Sequence, residues 1–442
     1  MTLGYEWRLA RRFENLSLRR RRHGDRSADF APESAMPVPA VEPAFYEIIR
    51  AKNLIKCFEE MRSKAGQAPG PDRATFRNMS FGEWAAVLRA VSRVLADGTY
   101  RPGPSRRQDI VKIGGGTRPL TIRNIVDRIV SKAVNNAVSA YLDPLFCNSS
   151  YAYRPHRGVM SLFANLERTL FQHQCFVLTQ DDIQEAFPSV CISDCIADYR
   201  RHFTDERTIS LIERIVRGRK KRHRDIGIDQ GDALSGTTLN LRLHHLLDVP
   251  ALTEQPGYPH YFRYSDNLIY LTTDRPDGGQ AVQRTRERLA PARLTLKSSD
   301  GPPRDLRAET ADVLGLRICV EGDRVRYMPG DQARLKLQMA LEGAWERPRP
   351  NQSAKEILCG WVGSLGMAVE SVGASTIAQM AMQEAARVGH SEIGGVWETL
   401  LERAEEARLE WLRTRDMVAT TSQPVIGPQS CPEAPDGTAY PF

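Results

Sequence analysis

Two acidic residues stand at the ends of apolar, β-branched runs, and few folds use such ends in pairs. The first run, Cys175-Phe-Val-Leu-Thr-Gln, leads into Asp181-Asp182 and on through Ile183-Gln-Glu-Ala-Phe-Pro-Ser-Val190. The second, Tyr261-Phe-Arg-Tyr-Ser-Asp-Asn-Leu-Ile-Tyr-Leu-Thr272, reads as two short strands around a Ser265-Asp266-Asn267 turn. A hairpin with an acid at its tip, beside a strand ending in another acid, can gather carboxylates for two divalent cations. One cation would activate an attacking hydroxyl and the other would hold a triphosphate. Asp and Asn are also common turn residues, so either site alone would mean only a turn.

The charge of the chain points the same way. Its net charge is +7, and residues 1–24 hold seven arginines against Glu6 and Glu14, which leaves +5 there and +2 elsewhere. Further basic stretches lie at 101–135 and at 214–224, Arg-Ile-Val-Arg-Gly-Arg-Lys-Lys-Arg-His-Arg. Basic runs on an otherwise near-neutral chain suit a phosphate backbone as ligand, although any one of them alone reads equally as a solvated surface. No window approaches 18 uncharged apolar residues, so no membrane span is expected. The arginine-rich N-terminus lacks the apolar core of a secretory signal. Eight cysteines are scattered singly, and Cys191 and Cys195 have no second Cys/His pair to complete a zinc site. A cytoplasmic protein with reduced thiols and no membrane partner is the expectation.

Along the chain, residues 1–43 read as a basic arm and linker. Residues 44–97 read as helix, a turn at Ala68-Pro-Gly-Pro-Asp72, and helix. Ile110-Val-Lys-Ile-Gly-Gly-Gly-Thr-Arg-Pro-Leu-Thr-Ile122 reads as strands about a glycine turn, followed by a helix from Asp127 to about Leu142. Residues 331–413 turn helical. The last helix carries the core stripe Trp397, Leu400, Leu401, Ala404, Ala407, Trp411 and Leu412. Residues 416–442 have the composition of a disordered tail.

Read in order from about residue 45 to residue 370, these segments resemble the bacterial reverse transcriptases, most closely their group II intron-like branch. Ala68-Pro-Gly-Pro-Asp72, Gly98-Thr-Tyr-Arg-Pro102, Ile110-Val-Lys112 and Thr117-Arg-Pro-Leu-Thr-Ile122 are similar to fingers motifs. Asp127-Arg-Ile-Val130 and Ser150-Tyr-Ala-Tyr-Arg-Pro155 follow the family's Asp-Arg-Ile-Val and Ser-Tyr-Gly-Phe-Arg-Pro. Asp182 to Val190 is similar to the first palm motif, Gln230-Gly-Asp-Ala-Leu-Ser235 to Gln-Gly-x-Pro-Leu-Ser, and Tyr264-Ser-Asp-Asn267 to Tyr-Ala-Asp-Asp. Val313-Leu-Gly-Leu316 resembles a primer-grip motif, and Gly360-Trp361 a thumb-helix signature.

The resemblance implies roles. Asp182 and Asp266 would be catalytic metal ligands, helped by the Ile183 carbonyl and Asn267. Asp181, one residue away on a strand, should face the other way and be a bystander. Phe187 would be a steric gate selecting deoxynucleotides, with a plain core aromatic as the rival reading. Lys112 and Arg118 would hold the triphosphate, and Gln230 and Gly231 would shape the nucleotide pocket. Mg²⁺ is the implied cofactor, with Mn²⁺ as a substitute. Three departures stand out: Asn267 for the second hairpin aspartate, Asp232-Ala233 for a small residue and proline, and Gly236 for a proline. Asn267 removes a formal charge, yet an amide oxygen still serves a hard cation.

The fold class expected is therefore α+β, a right-hand polymerase with fingers, a palm built on an antiparallel sheet, and a helical thumb. Fingers would occupy 44–175 with strands 105–125 shared with the palm, the palm 176–328, the thumb 329–415 and the tail 416–442. The expected function is RNA-directed DNA synthesis, a nucleotidyltransferase reaction on dNTPs with an RNA template and a DNA product. Family members that move introns continue past the thumb into further domains. The 27 residues after Arg415 point instead to a domesticated enzyme, by analogy in antiphage defence, with a non-coding RNA or protein partner. The alternatives are a catalytically silent RNA-binding subunit and an untemplated or protein-primed DNA polymerase.

Overall fold

The computed structural model describes residues 41–64, 68–111, 116–219, 224–254, 258–298, 301–391 and 393–420. Lys112, the arginine arm, residues 220–223 of the second basic run and residues 421–442 lie outside the described residues.

Helices α1 (Phe45–Ile49), α2 (Ala51–Lys64) and α3 (Phe81–Ala96) open the chain. Helix α3 starts at a reciprocal cap: the Glu83 N–H donates to Ser80 Oγ, and the Ser80 N–H donates to the Glu83 carboxylate at 2.7 Å. Strands β1 (Ser105–Val111) and β2 (Thr117–Arg123) pair antiparallel in a two-stranded sheet of their own. The hairpin joins the palm through the Thr121 N–H, which donates to the Gln230 carbonyl at 2.9 Å, and not through a shared sheet. Helices α4 (Ile125–Leu142) and α5 (Val159–His173) follow. Next come β3 (Val177–Asp182) and helices α6 (Ala186–Ser189), α7 (Ile192–Arg200), α8 (Glu206–Arg217) and α9 (Ala233–Leu243). A π-turn at His244–Asp248 leads to α10 (Val249–Glu254) and the hairpin β4 (His260–Tyr264) and β5 (Asn267–Thr272).

After α11 (Arg275–Leu289), β6 (Arg304–Asp305) completes a four-stranded antiparallel sheet in the order β4-β5-β3-β6. Its strands alternate between two cores. Leu268 and Tyr270 of β5 enter one with α2, α4, α7 and α9, while Ile269 and Leu271 enter the other. Covering both faces explains why β5 is an unbroken apolar run. The second core takes in α5, a three-stranded sheet of β7 (Ala311–Val313), β8 (Leu316–Glu321) and β9 (Arg324–Pro329), and five C-terminal helices. These are α12 (Asp331–Glu342), α13 (Pro350–Gly363), α14 (Gly366–Val372), α15 (Ala374–Arg387) and α16 (Val396–Thr420).

The architecture is α+β, as expected. Helix α16 continues through Thr420, past the boundary read at Arg415. Its buried stripe is Val396, Leu400, Ala404, Ala407 and Trp411, whereas Trp397 is 39% exposed. Val396 and Trp397 are one residue, or 100°, apart, so only one of the two can take the core face. No helix among the described residues is long and apolar enough to cross a membrane.

Candidate active site

Strand β3 ends where the β4–β5 hairpin turns. Asp182 stands opposite Asn267 in the antiparallel register, and Asp181 opposite Leu268. Facing residues of such a pair share a face, so Asp182 and Asn267 point one way and Asp181 the other. The Ile183 N–H donates to the Asp266 carbonyl at 3.0 Å, which ties the turn to the exit of β3. Asp181 is 4% exposed, and its Oδ1 accepts the N–H groups of Asp182 at 2.8 Å and Ser298 at 2.9 Å. It braces the backbone beneath the site.

The hairpin tip is a strained turn held from inside. Ser265 has φ 60°, a left-handed conformation that costs a non-glycine residue about 1 kcal/mol or more and persists only when its surroundings enforce it. Arg263 does so from full burial. Its Nη1 donates to the Ser265 carbonyl at 3.0 Å and to Asn240 Oδ1 at 2.9 Å. Its Nε and Nη2 grip both oxygens of Asp248, at 2.8 and 2.6 Å, and Nη2 also reaches Ser150 Oγ at 2.9 Å. Only the planar guanidinium fork can serve so many acceptors at once. Arg263 belongs to no motif in the sequence. The signal was there, a charged residue between the aromatics of a buried strand, but its partners lie at 150, 240 and 248.

The Gln230-Gly231-Asp232 turn is fixed from strand β2. Gly231 has φ 97°, and a Cβ there would lie 2.5 Å from Leu120 Cδ1; only glycine allows β2 so close. Asp232, a departure from the resembled motif, points inward. It caps α9 by accepting the Leu234 N–H at 3.0 Å, takes the Ser131 hydroxyl at 2.6 Å, and pairs with buried Arg123 at 3.3 Å. The motif's second difference thus links β2 to the palm.

A pocket of about 230 Å³ lies at this junction, walled by Asp182, Asp266, Ile183, Arg118 and Gln230 together with Pro119, Gln184, Glu185, Ala186, Pro188 and Lys297. Five of the residues singled out from sequence meet there. Phe187, Gly231 and Asn267 are not among its walls. Phe187 is 9% exposed and meets Tyr153 edge-on at 6.2 Å. Tyr153 also neighbours Tyr264, whose phenol burial pushes above its ordinary value, with Tyr153 adding to the rise. Lys297 was missed. Its Nζ lies 2.8 Å from Asp182 Oδ2, and no spacing rule connects a lone lysine at 297 to position 182.

The donors suit a hard cation. Two carboxylates, a main-chain carbonyl and a nearby amide are all oxygen ligands of the kind Mg²⁺ and Mn²⁺ take, without the thiolate or imidazole that zinc prefers. Gln230 adds an Oε1 that is buried without a hydrogen-bond partner among the described residues, a polar atom that calls for a ligand. No group of three or more His, Cys, Asp or Glu side chains placed for a metal occurs among the described residues.

A second, larger cavity of about 640 Å³ lies between residues 156–161, the β7–β8 turn at Leu314–Leu316, and Lys336, Trp361, Glu410 and Thr414 of the C-terminal helices.

Residues 110–299 match the family described as reverse transcriptase (RNA-dependent DNA polymerase). An uncharacterized 91 kDa protein in the cob intron of Schizosaccharomyces pombe is 30% identical over 36% of this chain and 20% of its own length. Protein YkfC of Escherichia coli is 27% identical over 42% of this chain and 50% of its own. The group II intron-encoded protein LtrA of Lactococcus lactis subsp. cremoris is 27% identical over 36% of this chain and 27% of its own. The matched stretches thus span between a fifth and a half of these relatives.

Proposed function

We propose, from the premise that this chain carries a reverse transcriptase domain of the group II intron-like branch, that it is an RNA-directed DNA polymerase. The observation that carries the reading is the smaller pocket. Arg118 of the fingers hairpin, Asp182 and Ile183 at the end of β3, Gln230 before α9 and Asp266 of the hairpin tip converge there from four distant segments.

Asp182, the Ile183 carbonyl, Asp266 and Asn267 would hold the divalent cations, Mg²⁺ or Mn²⁺, which supply Lewis-acid activation of a primer 3′-hydroxyl and neutralise charge on the triphosphate. The chain's own residues orient the rest. Arg118 offers a fork of donors to phosphate oxygens. Gln230 presents its amide to the incoming nucleotide. Arg263, through the Ser265 carbonyl, keeps the Asp266 turn in place before substrate arrives, so little reorganisation is needed in the reaction. The larger cavity, with Lys336, Arg157 and Trp361 on its walls, suits the path of the RNA template and growing DNA. Residues 44–175 would act as fingers, 176–328 as palm and 329–420 as thumb. A role in antiphage defence follows from the analogy alone and would be read by phage plating on cells with and without the gene.

Extension of a labelled DNA primer on an RNA template, with dNTPs and Mg²⁺ or Mn²⁺, tests the activity. Extension by the wild type that is lost in Asp182→Ala and Asp266→Ala supports the polymerase. RNA binding without extension under any cation would replace it with the binding-subunit reading.

A further inference from the structure

Asp182 is held twice by one residue. The Lys297 N–H donates to the Asp182 carbonyl at 2.8 Å, and Lys297 Nζ reaches Asp182 Oδ2 at 2.8 Å. The backbone contact is part of a short ladder, because Ile183 pairs with Leu296 and the Gln184 N–H donates to the Thr295 carbonyl at 2.8 Å. The main chain therefore delivers the lysine to this carboxylate. The Lys297 side chain is 52% exposed and that of Asp182 only 20%, so the ammonium reaches the carboxylate from the solvent side. Across the strand, the residue facing Asp182 is the uncharged Asn267. The pocket's three carboxylates, Asp182, Asp266 and Glu185, are thus offset by two cations, Lys297 and Arg118, which leaves one net negative charge. With so little excess negative charge, a divalent ion has a weak claim on the site.

We propose that Lys297 is a resident cation of the metal site. It neutralises Asp182 in the nucleotide-free protein and yields that carboxylate only when a triphosphate enters, so that metal and nucleotide bind together. This rests on the metal-site reading above. The triphosphate brings the negative charge that Asn267 fails to supply, and it gives the ammonium a new partner within reach of its flexible stem. Arg118 then faces phosphate oxygens as well. Coupling of this kind is reciprocal: nucleotide must raise metal affinity by the same factor as metal raises nucleotide affinity. Lys297 acts as a positioning residue, through Asp182.

Mn²⁺ binding to the full chain, read from the free-ion EPR signal with and without a non-hydrolysable dNTP analogue, tests this without any turnover. Wild type should bind Mn²⁺ weakly alone and more tightly with the analogue. Lys297→Gln should tighten binding without nucleotide on the order of tenfold, as expected from removing a like charge a few ångströms away, and should shrink the nucleotide effect. Lys297→Arg should behave as wild type. Thermal melts check that the variants fold; the exposed side chain makes loss of the fold an unexpected result. If Lys297→Gln matches wild type in both conditions while Asp182→Ala loses the ion, the resident-cation proposal falls and the metal site stands. If Asp182→Ala and Asp266→Ala bind Mn²⁺ as wild type does, the metal-site reading fails and takes the proposal with it.

Discussion

A Cβ on Gly236 would stand 2.5 Å from Cγ of Tyr153, so the glycine found where the resembled motif has proline is the seat of an aromatic ring. Tyr153 has φ 58°, is 54% exposed, and meets Phe187 at 90° between ring planes. Glycine at 236, the strained backbone at 153 and the position of the Phe187 ring are one arrangement.

Gly236→Ala should therefore displace Tyr153 and release Phe187, costing about 1–3 kcal/mol as an overpacked contact. If the Phe187 ring selects sugars, the preference for dNTPs over rNTPs should weaken in this variant and in Phe187→Leu, measured by competition in primer extension. Phe187→Ala is the poorer probe, since emptying a buried aromatic site costs about 3–5 kcal/mol. Unchanged sugar choice in folded Gly236→Ala and Phe187→Leu proteins would leave the ring as core packing only.

The three acids should separate by assay. Asp182→Ala and Asp266→Ala should abolish incorporation with melting temperatures near wild type. Asp181→Ala leaves the Asp182 and Ser298 N–H groups without their acceptor, which costs about 1–3 kcal/mol for a buried donor, and should keep measurable incorporation. A stable but inactive Asp181→Ala protein would reverse the assignment of the two aspartates.

Much of this site was legible from local pattern. Continuous apolar, β-branched runs leading into Asp182 and flanking Asp266 located the strands, and the alternation of faces along a strand set Asp181 apart. What escaped was partnership across distance. Arg263 with Asp248, Lys297 with Asp182 and Asp232 with Arg123 join residues that no periodicity relates. A charged residue in an apolar strand shows that a partner exists without saying which. Trp397 failed differently: a stripe of i, i+3, i+4 spacing admits a register one residue over, and packing put Val396 inward.

Acid should weaken the fold through a buried histidine cluster where the α7–α8 loop meets the π-turn. His202 and His245 place their Nε2 atoms 2.9 Å apart, and burial, with Arg201 close by, pushes both below the ordinary imidazole range. Burial lowers His244 to about 3. Groups whose folded pKa is depressed below an unfolded value near 6.5 add stability above that pH and lose it as pH falls toward the folded value. Asp198 runs the other way: burial raises it to about 6 against the pull of Arg242, so its penalty fades on acidification. Three histidines outweigh one aspartate. The melting temperature should drop between pH 6.5 and 5 by the equivalent of a few kcal/mol, and His202→Gln with His245→Gln should flatten that slope. A melting temperature level across the range would show that the cluster takes up protons without cost.

The last test bears on Asn267. It faces Asp182 across the ladder, so Asn267→Asp sets two carboxylates opposite each other at the mouth of the site. Like charges directly opposed in an antiparallel pair destabilise by roughly 0.2–1 kcal/mol, hence the variant should melt lower than wild type in chelator. A divalent cation reverses the sign, because the added carboxylate tightens the ion and binding to the folded state stabilises it by RT ln(1 + [L]/Kd). The two melting curves should cross as Mg²⁺ or Mn²⁺ is raised, and the cation concentration for half-maximal primer extension should fall in the variant. Mn²⁺, which oxygen ligands hold more firmly than Mg²⁺, should support wild-type extension at the lower concentration. Both effects share one cause, a site short of one charge. If Asn267→Asp melts lower at every cation concentration and extension needs no less metal, the side chain at 267 does not reach the ion and adds nothing to the charge that Asp182, Asp266, Glu185, Lys297 and Arg118 set in the pocket.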